Sequence, residues 1–244
     1  MKKILDLLPI PKIENLESTL KDRKDLSQKI SALTNFSFQL DIELIKKGSV
    51  SIEGAYDEVI NSPYIIETIK EIGNNYDAII IDCFLDPSLE AAREITKVPV
   101  IGENEASTHL ASQISSKFSI INVIPETENL IYKILKKNGL SDNLASIITI
   151  NIPVLSLEKN MDRTIENIVK SIEKAVYEDK AQSIIFGCTG MSSLLEKVKE
   201  KLKIEIPIVD PLRAGIYTAI SWILLGITQS PIAYMPPRKK ERIY

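Results

Sequence analysis

One pattern occurs twice in this chain and narrows its possible folds more than any other feature. Ile79-Ile80-Ile81-Asp82-Cys83 is followed by a helix-like stretch and then Val98-Pro99-Val100-Ile101-Gly102; Ile184-Ile185-Phe186-Gly187-Cys188 is followed by another and then Ile206-Pro207-Ile208-Val209-Asp210. Each copy reads strand, cysteine, helix, strand. Short β-branched runs at 3–8, 36–45, 77–82, 98–101, 118–123, 146–150, 183–186 and 207–209 alternate with stretches of helical period. That alternation predicts an α/β fold whose parallel sheets are covered by helices. Ile165, Ile168, Val169, Ile172, Ala175 and Val176 fall on one stripe of such a helix.

No linker rich in Gly, Ser or Pro separates the repeats, so domain boundaries follow the repeat itself, near 102–105 and again near 210. The expected division is 1–102 plus 211–244 for the first α/β domain and 103–210 for the second. The segment 231–244, with Pro236-Pro237 and four basic residues, has no helical period and is expected to pack on the surface or on a neighbouring subunit.

Composition removes several function classes. Thirty Lys plus Arg against thirty-three Asp plus Glu give a net charge of −3, with no basic excess to hold a nucleic acid backbone. One histidine and two cysteines cannot make an ordinary His/Cys zinc site, so no metal is expected. The GxSxG, GxxxxGK[ST] and GxGxxG signatures do not occur, which argues against a serine hydrolase elbow, a P-loop and a dinucleotide cofactor. The N-terminal apolar run is interrupted by Asp6 and reads as a first strand rather than a signal peptide. The apolar stretch 219–227 is far shorter than the roughly 20 residues needed to span a membrane. A cytoplasmic location, where free thiols persist, is the expectation.

The chemistry then rests on few side chains. Cys83 and Cys188 each end a strand and precede a helix, and ligands of open α/β sheets bind at the carboxyl ends of strands. A lone cysteine after an Ile-rich strand is ordinarily a small buried hydrophobe; repetition in matched settings sets these two apart. Helices predicted over 88–96 and from about 190–193 place both thiols near helix N-termini, which should lower their pKa. The small Gly187-Cys188-Thr189-Gly190 turn leaves backbone N–H groups able to approach a carbonyl or carboxylate oxygen. A thiolate and a thiol suit proton removal on one face of a carbon and proton return on the other. His109 raises the possibility of a Cys/His dyad, but it lies in a helix over 104–114 whose Ala106, Leu110 and Ala111 mark the buried face, and a structural role is expected. Asp57 and Glu58 suit the start of a helix, while Glu105 is kept as a residue supporting the site from behind.

The ordered series of motifs resembles the hydantoin racemase branch of the aspartate/glutamate racemase superfamily, which also contains allantoin racemases. It runs through Ser51-Ile52-Glu53-Gly54 with Asp57-Glu58, Tyr76-Asp77-Ala78-Ile79-Ile80-Ile81, and Cys83-Phe84-Leu85-Asp86-Pro87-Ser88-Leu89 with Ala92-Arg93-Glu94. It continues through Pro99-Val100-Ile101-Gly102, Glu105-Ala106, Ile152-Pro153-Val154-Leu155, Gly187-Cys188-Thr189-Gly190-Met191 and Tyr234-Met235-Pro236-Pro237. The resemblance implies two similar Rossmann-like domains with parallel four-stranded sheets, related by pseudo-twofold symmetry, with the site in the cleft between them. It implies a homo-oligomer and a cofactor-independent 1,1-proton transfer, with Cys83 and Cys188 as opposed acid and base. Phe84 and Thr189 would offer backbone N–H groups to the substrate, and Asn122 would line the pocket; Gly190, in the small turn after Cys188, is a further substrate-binding candidate.

Departures from the family pattern bear on the substrate. Where the first strand typically ends in Asn-Pro-Asn, this chain has Leu8-Pro9-Ile10, so Pro9 and Ile10 would line the site without the asparagine amides. Leu85 stands where Gly or Ser is usual, and Asn122 where Thr is common. The reading is a racemase acting at a carbonyl-activated stereocentre of a 5-substituted hydantoin, allantoin or related amino-acid derivative. Two alternatives remain at this point: a decarboxylase or diacid isomerase of the same superfamily, and a two-lobed small-molecule binding protein without catalysis.

Overall fold

The duplicated motif becomes two parallel sheets in the computed structural model, which describes residues 1–14 and 16–243. β1 (Lys2–Leu8), β2 (Phe38–Leu44), β3 (Ala78–Ile81) and β4 (Val100–Gly102) form the first in the order β2-β1-β3-β4. β5 (Phe118–Asn122), β6 (Leu144–Thr149), β7 (Ser183–Phe186) and β8 (Ile208–Val209) form the second in the order β6-β5-β7-β8. The two orders are the same, and every paired neighbour runs parallel. All eight runs expected from the sequence are strands. Their continuous apolar character has a simple cause: a sheet covered by helices on both faces has no solvent side, and Ile79, Ile80, Ile81, Ile120 and Ile121 are fully buried.

The helices are α1 (Glu17–Thr34), α2 (Ala55–Ile72), α3 (Leu89–Ile95), α4 (Glu103–Ile114), α5 (Glu128–Lys137), α6 (Met161–Tyr177), α7 (Leu195–Lys201) and α8 (Pro211–Leu225). α6 follows its predicted stripe, burying Ile165, Ile168, Ile172 and Ala175, and the Asn160 side chain caps it by accepting from the Arg163 N–H. Asp57 and Glu58 fall in the first turn of α2, and the Asp57 carboxylate accepts from the Ser49 hydroxyl and the Glu53 N–H. None of the helices of the described residues is long and apolar enough to cross a membrane.

α4 corrects the sequence reading. Of its expected apolar face Ala111 is buried, Ala106 is half-buried and Leu110 is 41% exposed, while Glu103, Asn104, Ser107 and Thr108 are buried. The cause is position. α4 packs against α8 as well as against β4, β7 and β8, so a wider arc of its surface is covered than one apolar stripe provides. Ser107 and Thr108 satisfy their hydroxyls on carbonyls one turn back, at 2.5 Å to Glu103 and 2.7 Å to Asn104, and their small size admits the neighbouring helix. On the α8 side the fit is close: a Cβ at Gly215 would lie 3.1 Å from Glu103 Cγ. α8 itself is capped at its start by Asp210, whose side chain accepts from the Leu212 N–H, and at its end by Gly226 in the left-handed region, φ 64°.

α8 carries the chain back onto β3 and β4. Beyond it, Gln229 is buried and acts as an extra rung on the edge strand, accepting from the Val100 N–H and donating to the Thr96 and Val98 carbonyls. The Tyr234 hydroxyl accepts from Arg93, and the chain after it is exposed. The start of α4 is capped by Asp86, whose two carboxylate oxygens accept from the Asn104 and Glu105 N–H groups, both at 2.9 Å. This contact requires glycine at 102, where a Cβ would sit 2.5 Å from the same carboxylate.

Two outcomes follow. Ile168→Ala opens a cavity in the second core and should lower unfolding free energy by about 2–5 kcal/mol in urea titrations. Burial is the largest influence on the carboxyls of Asp86, pushed up to about 7, and of Glu103 and Asp210, also raised. In the folded chain these groups hold protons at pH values where the unfolded chain has released them, so stability falls as pH rises. Asp86 alone should remove on the order of 2 kcal/mol between pH ~5.5 and pH ~8, read as a lower urea midpoint.

Candidate active site

Strand geometry puts both cysteines at corresponding places. Cys83 follows β3 by one residue, and its N–H bonds back to the Ile81 carbonyl at 2.8 Å, turning the chain sharply at the sheet edge. Cys188 follows β7 after Gly187, whose N–H bonds to the Ile121 carbonyl at 2.8 Å. A Cβ at 187 would lie 2.9 Å from that carbonyl oxygen, so only glycine lets β7 leave the sheet this close to β5. Both thiols are free, partly exposed, and line one cavity of about 580 Å³.

The other residues singled out from the sequence divide into those the cavity includes and one it does not. Pro9, Ile10, Phe84, Thr189 and Gly190 line it, as do Leu8 and Leu85. Asn122 does not. Its amide donates to the Ile124 carbonyl and the Thr149 hydroxyl, and its Oδ1 accepts from the Thr127 hydroxyl at 3.1 Å, so the fully buried side chain is spent on holding the turn after β5. Val123 and Thr127 reach the cavity instead. His109 is exposed on α4 with Nδ1 2.8 Å from the Glu105 carbonyl, and the cavity does not include it. Glu105 is likewise away from the cavity, paired through both oxygens with Arg93.

The backbone around each sulfur is open to a ligand. The Phe84 and Thr189 N–H groups meet no protein acceptor among the described residues. Cys188 precedes a 3-10 helix, Thr189–Leu194, whose first N–H groups have no partner inside the helix. The Pro9 loop is held from below by Asn61, fully buried, which donates to the Pro9 and Ser49 carbonyls at 2.7 and 3.0 Å and accepts from the Ser49 N–H. Glu53 accepts from the N–H of Val154, a lining residue, at 3.1 Å, tying a loop that follows β2 to one that follows β6.

Thiol acidity departs from the sequence expectation. Burial raises the Cys83 thiol well above its ordinary value and pushes Cys188 up to about 11. Hydrogen bonds from the Leu85 and Gly190 N–H groups act the other way without prevailing. The predicted lowering by helix N-termini fails at Cys83 for a geometric reason: α3 starts only at Leu89, with the left-handed residues Asp86 and Ser88 between. The loss of solvation at each sulfur then outweighs the nearby dipoles.

Sequence reasoning missed α1 and the 154–159 loop as cavity walls. Thr19, Asp22, Arg23 and Leu26 from α1, and Val154, Leu155 and Leu157 from the loop, all face the cavity. A signal for Arg23 is present in the sequence: Asp6 interrupts the apolar part of β1 and Asp82 directly follows the apolar β3, and a carboxylate so placed calls for a buried partner.

Comparison with known proteins agrees with this geometry. Residues 15–219 match the family described as Asp/Glu/Hydantoin racemase. A hydantoin racemase of Pseudomonas sp. (strain NS671) is 32% identical over 234 residues, covering 95% of this chain and 93% of that protein. Among solved structures, an allantoin racemase from Klebsiella pneumoniae superposes with a TM-score of 0.86 at 28% identity, covering 98% of this chain and 95% of that one. An allantoin racemase from Pseudomonas fluorescens gives 0.88 at 26% identity, covering 99% and 100%. With most of its length matched by the family and by such a relative, this chain belongs to the Asp/Glu/Hydantoin racemase family.

Proposed function

We propose that the chain is a cofactor-independent racemase in which Cys83 and Cys188 are the two bases, acting on a 5-substituted hydantoin, allantoin or a related cyclic amide. The observation that carries this reading is the pair of free thiols at the ends of corresponding strands, β3 and β7, on a single cavity. One thiolate removes the proton from the stereocentre, and the C–H electron pair moves into the neighbouring carbonyl to give an enolate. The opposite thiol then delivers its proton to the other face. The first sulfur ends as thiol and the second as thiolate, so the reverse reaction exchanges their roles.

The Phe84 and Thr189 N–H groups are placed to receive oxygen atoms of the substrate, where preformed donors stabilise the negative charge that develops on deprotonation. Leu8, Ile10 and Leu85 make the wall beside the first thiol apolar, which suits a hydrocarbon substituent on the ring. A decarboxylase working with one thiol would have no use for the second, and the second sulfur here shares the cavity. We place the chain in the cytoplasm, where two unpaired thiols persist. Exposed Leu224, Leu225 and Ile227 at the end of α8 support assembly into a homo-oligomer.

Cys83→Ser and Cys188→Ser should each lower racemisation of a 5-substituted hydantoin by about 1000-fold or more, because an alcohol is a far weaker base and a poorer match to this proton transfer; polarimetry reads the loss. The raised thiol pKa values predict a second result. Near neutral pH few molecules carry the reactive thiolate, so kcat/KM should climb about tenfold per pH unit from pH ~7 towards pH ~9. A flat profile over that range would show that neither thiol titrates as its burial requires.

A further inference from the structure

The cavity contains an ion pair that the proton transfers do not use. Arg23, on α1, is 5% exposed and lines the cavity together with Asp82, the residue that joins β3 to Cys83. Its Nε donates to Asp82 and lies 3.7 Å from Asp6, while Nη1 donates to the Thr19 carbonyl at 3.3 Å. Among the described residues no acceptor meets Nη2, and Arg23 is one of the residues that line the cavity.

Charge around the guanidinium is tightly set. Burial works against the Arg23 charge, but Asp82 and Asp6 outweigh it and raise its pKa further, so it stays cationic. Asp6 and Glu103 are fully buried, and their oxygens have no hydrogen-bond partner among the described residues. Burial first, and then repulsion from neighbouring carboxylates, raises both well above the usual carboxylate range. The Arg23 cation is matched by the Asp82 carboxylate in contact with it, while Lys29, Lys159 and Arg213 also border the cavity. These acids are not a metal centre: no group of three or more metal-binding side chains gathers among the described residues.

The same end of the cavity lacks other polar side chains from β1. Leu8, Pro9 and Ile10 offer no side-chain donor there, so a substrate oxygen turned towards this wall must find its partner elsewhere. We propose that the Arg23–Asp82 pair selects the substrate: Arg23 Nη2 donates to a carbonyl oxygen of a neutral cyclic amide or ureide, and Asp82, by cancelling the guanidinium charge, excludes ligands that carry a free carboxylate. An unpaired arginine would favour the carboxylate, which it binds through two parallel hydrogen bonds; here that fork is already occupied on its Nε side by Asp82. The pair also bears on the thiols. Beyond burial, Asp82 raises both, and Arg23 partly offsets this at Cys188. This assignment rests on the racemase reading and names the substrate property its cavity selects.

The test is calorimetric measurement of Kd for 5-benzylhydantoin and for its ring-opened N-carbamoyl acid, which differs by carrying a carboxylate. Wild-type protein should prefer the hydantoin by about tenfold or more, the discrimination that one charged hydrogen bond or one unmatched charge supplies. Asp82→Asn should narrow that preference about fivefold by tightening the acid. The double variant Arg23→Met with Asp82→Leu removes both charges together, which protects the fold, and should weaken hydantoin binding about tenfold with the melting midpoint little changed. If the double variant is unstable, Arg23→Lys decides: it keeps a charge opposite Asp82 but loses the planar fork, and should weaken hydantoin binding about fivefold. A wild type without preference for the hydantoin, a preference untouched by Asp82→Asn, or hydantoin Kd unchanged in the Arg23 variants overturns the inference. Wild-type protein that binds hydantoin with this preference and does not racemise it overturns the proposed reaction instead, leaving the selectivity assignment intact.

Discussion

Burial of both faces of each parallel sheet is the constraint on which the rest depends. With helices covering the Ile-rich strands, no polar chemistry fits along the sheet, and it is displaced to the strand ends, where backbone groups run out of partners. β3 and β7 hold the same position in their sheets and end in the same way, so the two displaced sites are alike. Gly187 permits the tight exit on one side, and the turn from Ile81 to Cys83 makes it on the other. The duplicated fold thereby supplies two thiols to one cavity, a pairing that a single α/β unit cannot make.

The setting that brings the sulfurs together also makes them reluctant acids. Burial around the sulfurs strengthens hydrogen bonds to a negative charge developing beside them and at the same time disfavours the thiolate. The Leu85 and Gly190 N–H groups offset part of that cost at the individual sulfurs. The Arg23 guanidinium acts on Cys188 from farther away. The net result is a resting state in which both thiols are protonated.

Much of this was legible in the chain itself. The strands announced themselves because a strand buried on both faces has to be apolar throughout, and the cysteines because they ended two such strands in matching surroundings. α4 was misread because it lies against another helix and both sheets, where small hydroxyl residues such as Ser107 and Thr108 serve better than leucine. Asn122 does not line the cavity, and its strand-end position in the sequence does not reveal that its amide closes the turn after β5. α1 gave no usable stripe, since Arg23 and Ile30 are its only buried residues among those described. The thiol shifts were out of reach as well, because desolvation depends on how the walls close around a sulfur and not on which residue precedes it.

The central claim is that each sulfur serves a different face of the reacting carbon. It is tested most directly by following an enantiopure 5-substituted hydantoin in heavy water through the first few per cent of conversion, with deuterium located in each enantiomer by mass spectrometry after chiral separation. The account predicts deuterium in the inverted product and almost none in recovered starting material, because the abstracting sulfur returns the proton it took whereas the opposite sulfur delivers a solvent-derived one. Equal deuterium in both enantiomers at that stage would mean that a single base serves both faces, and would contradict it.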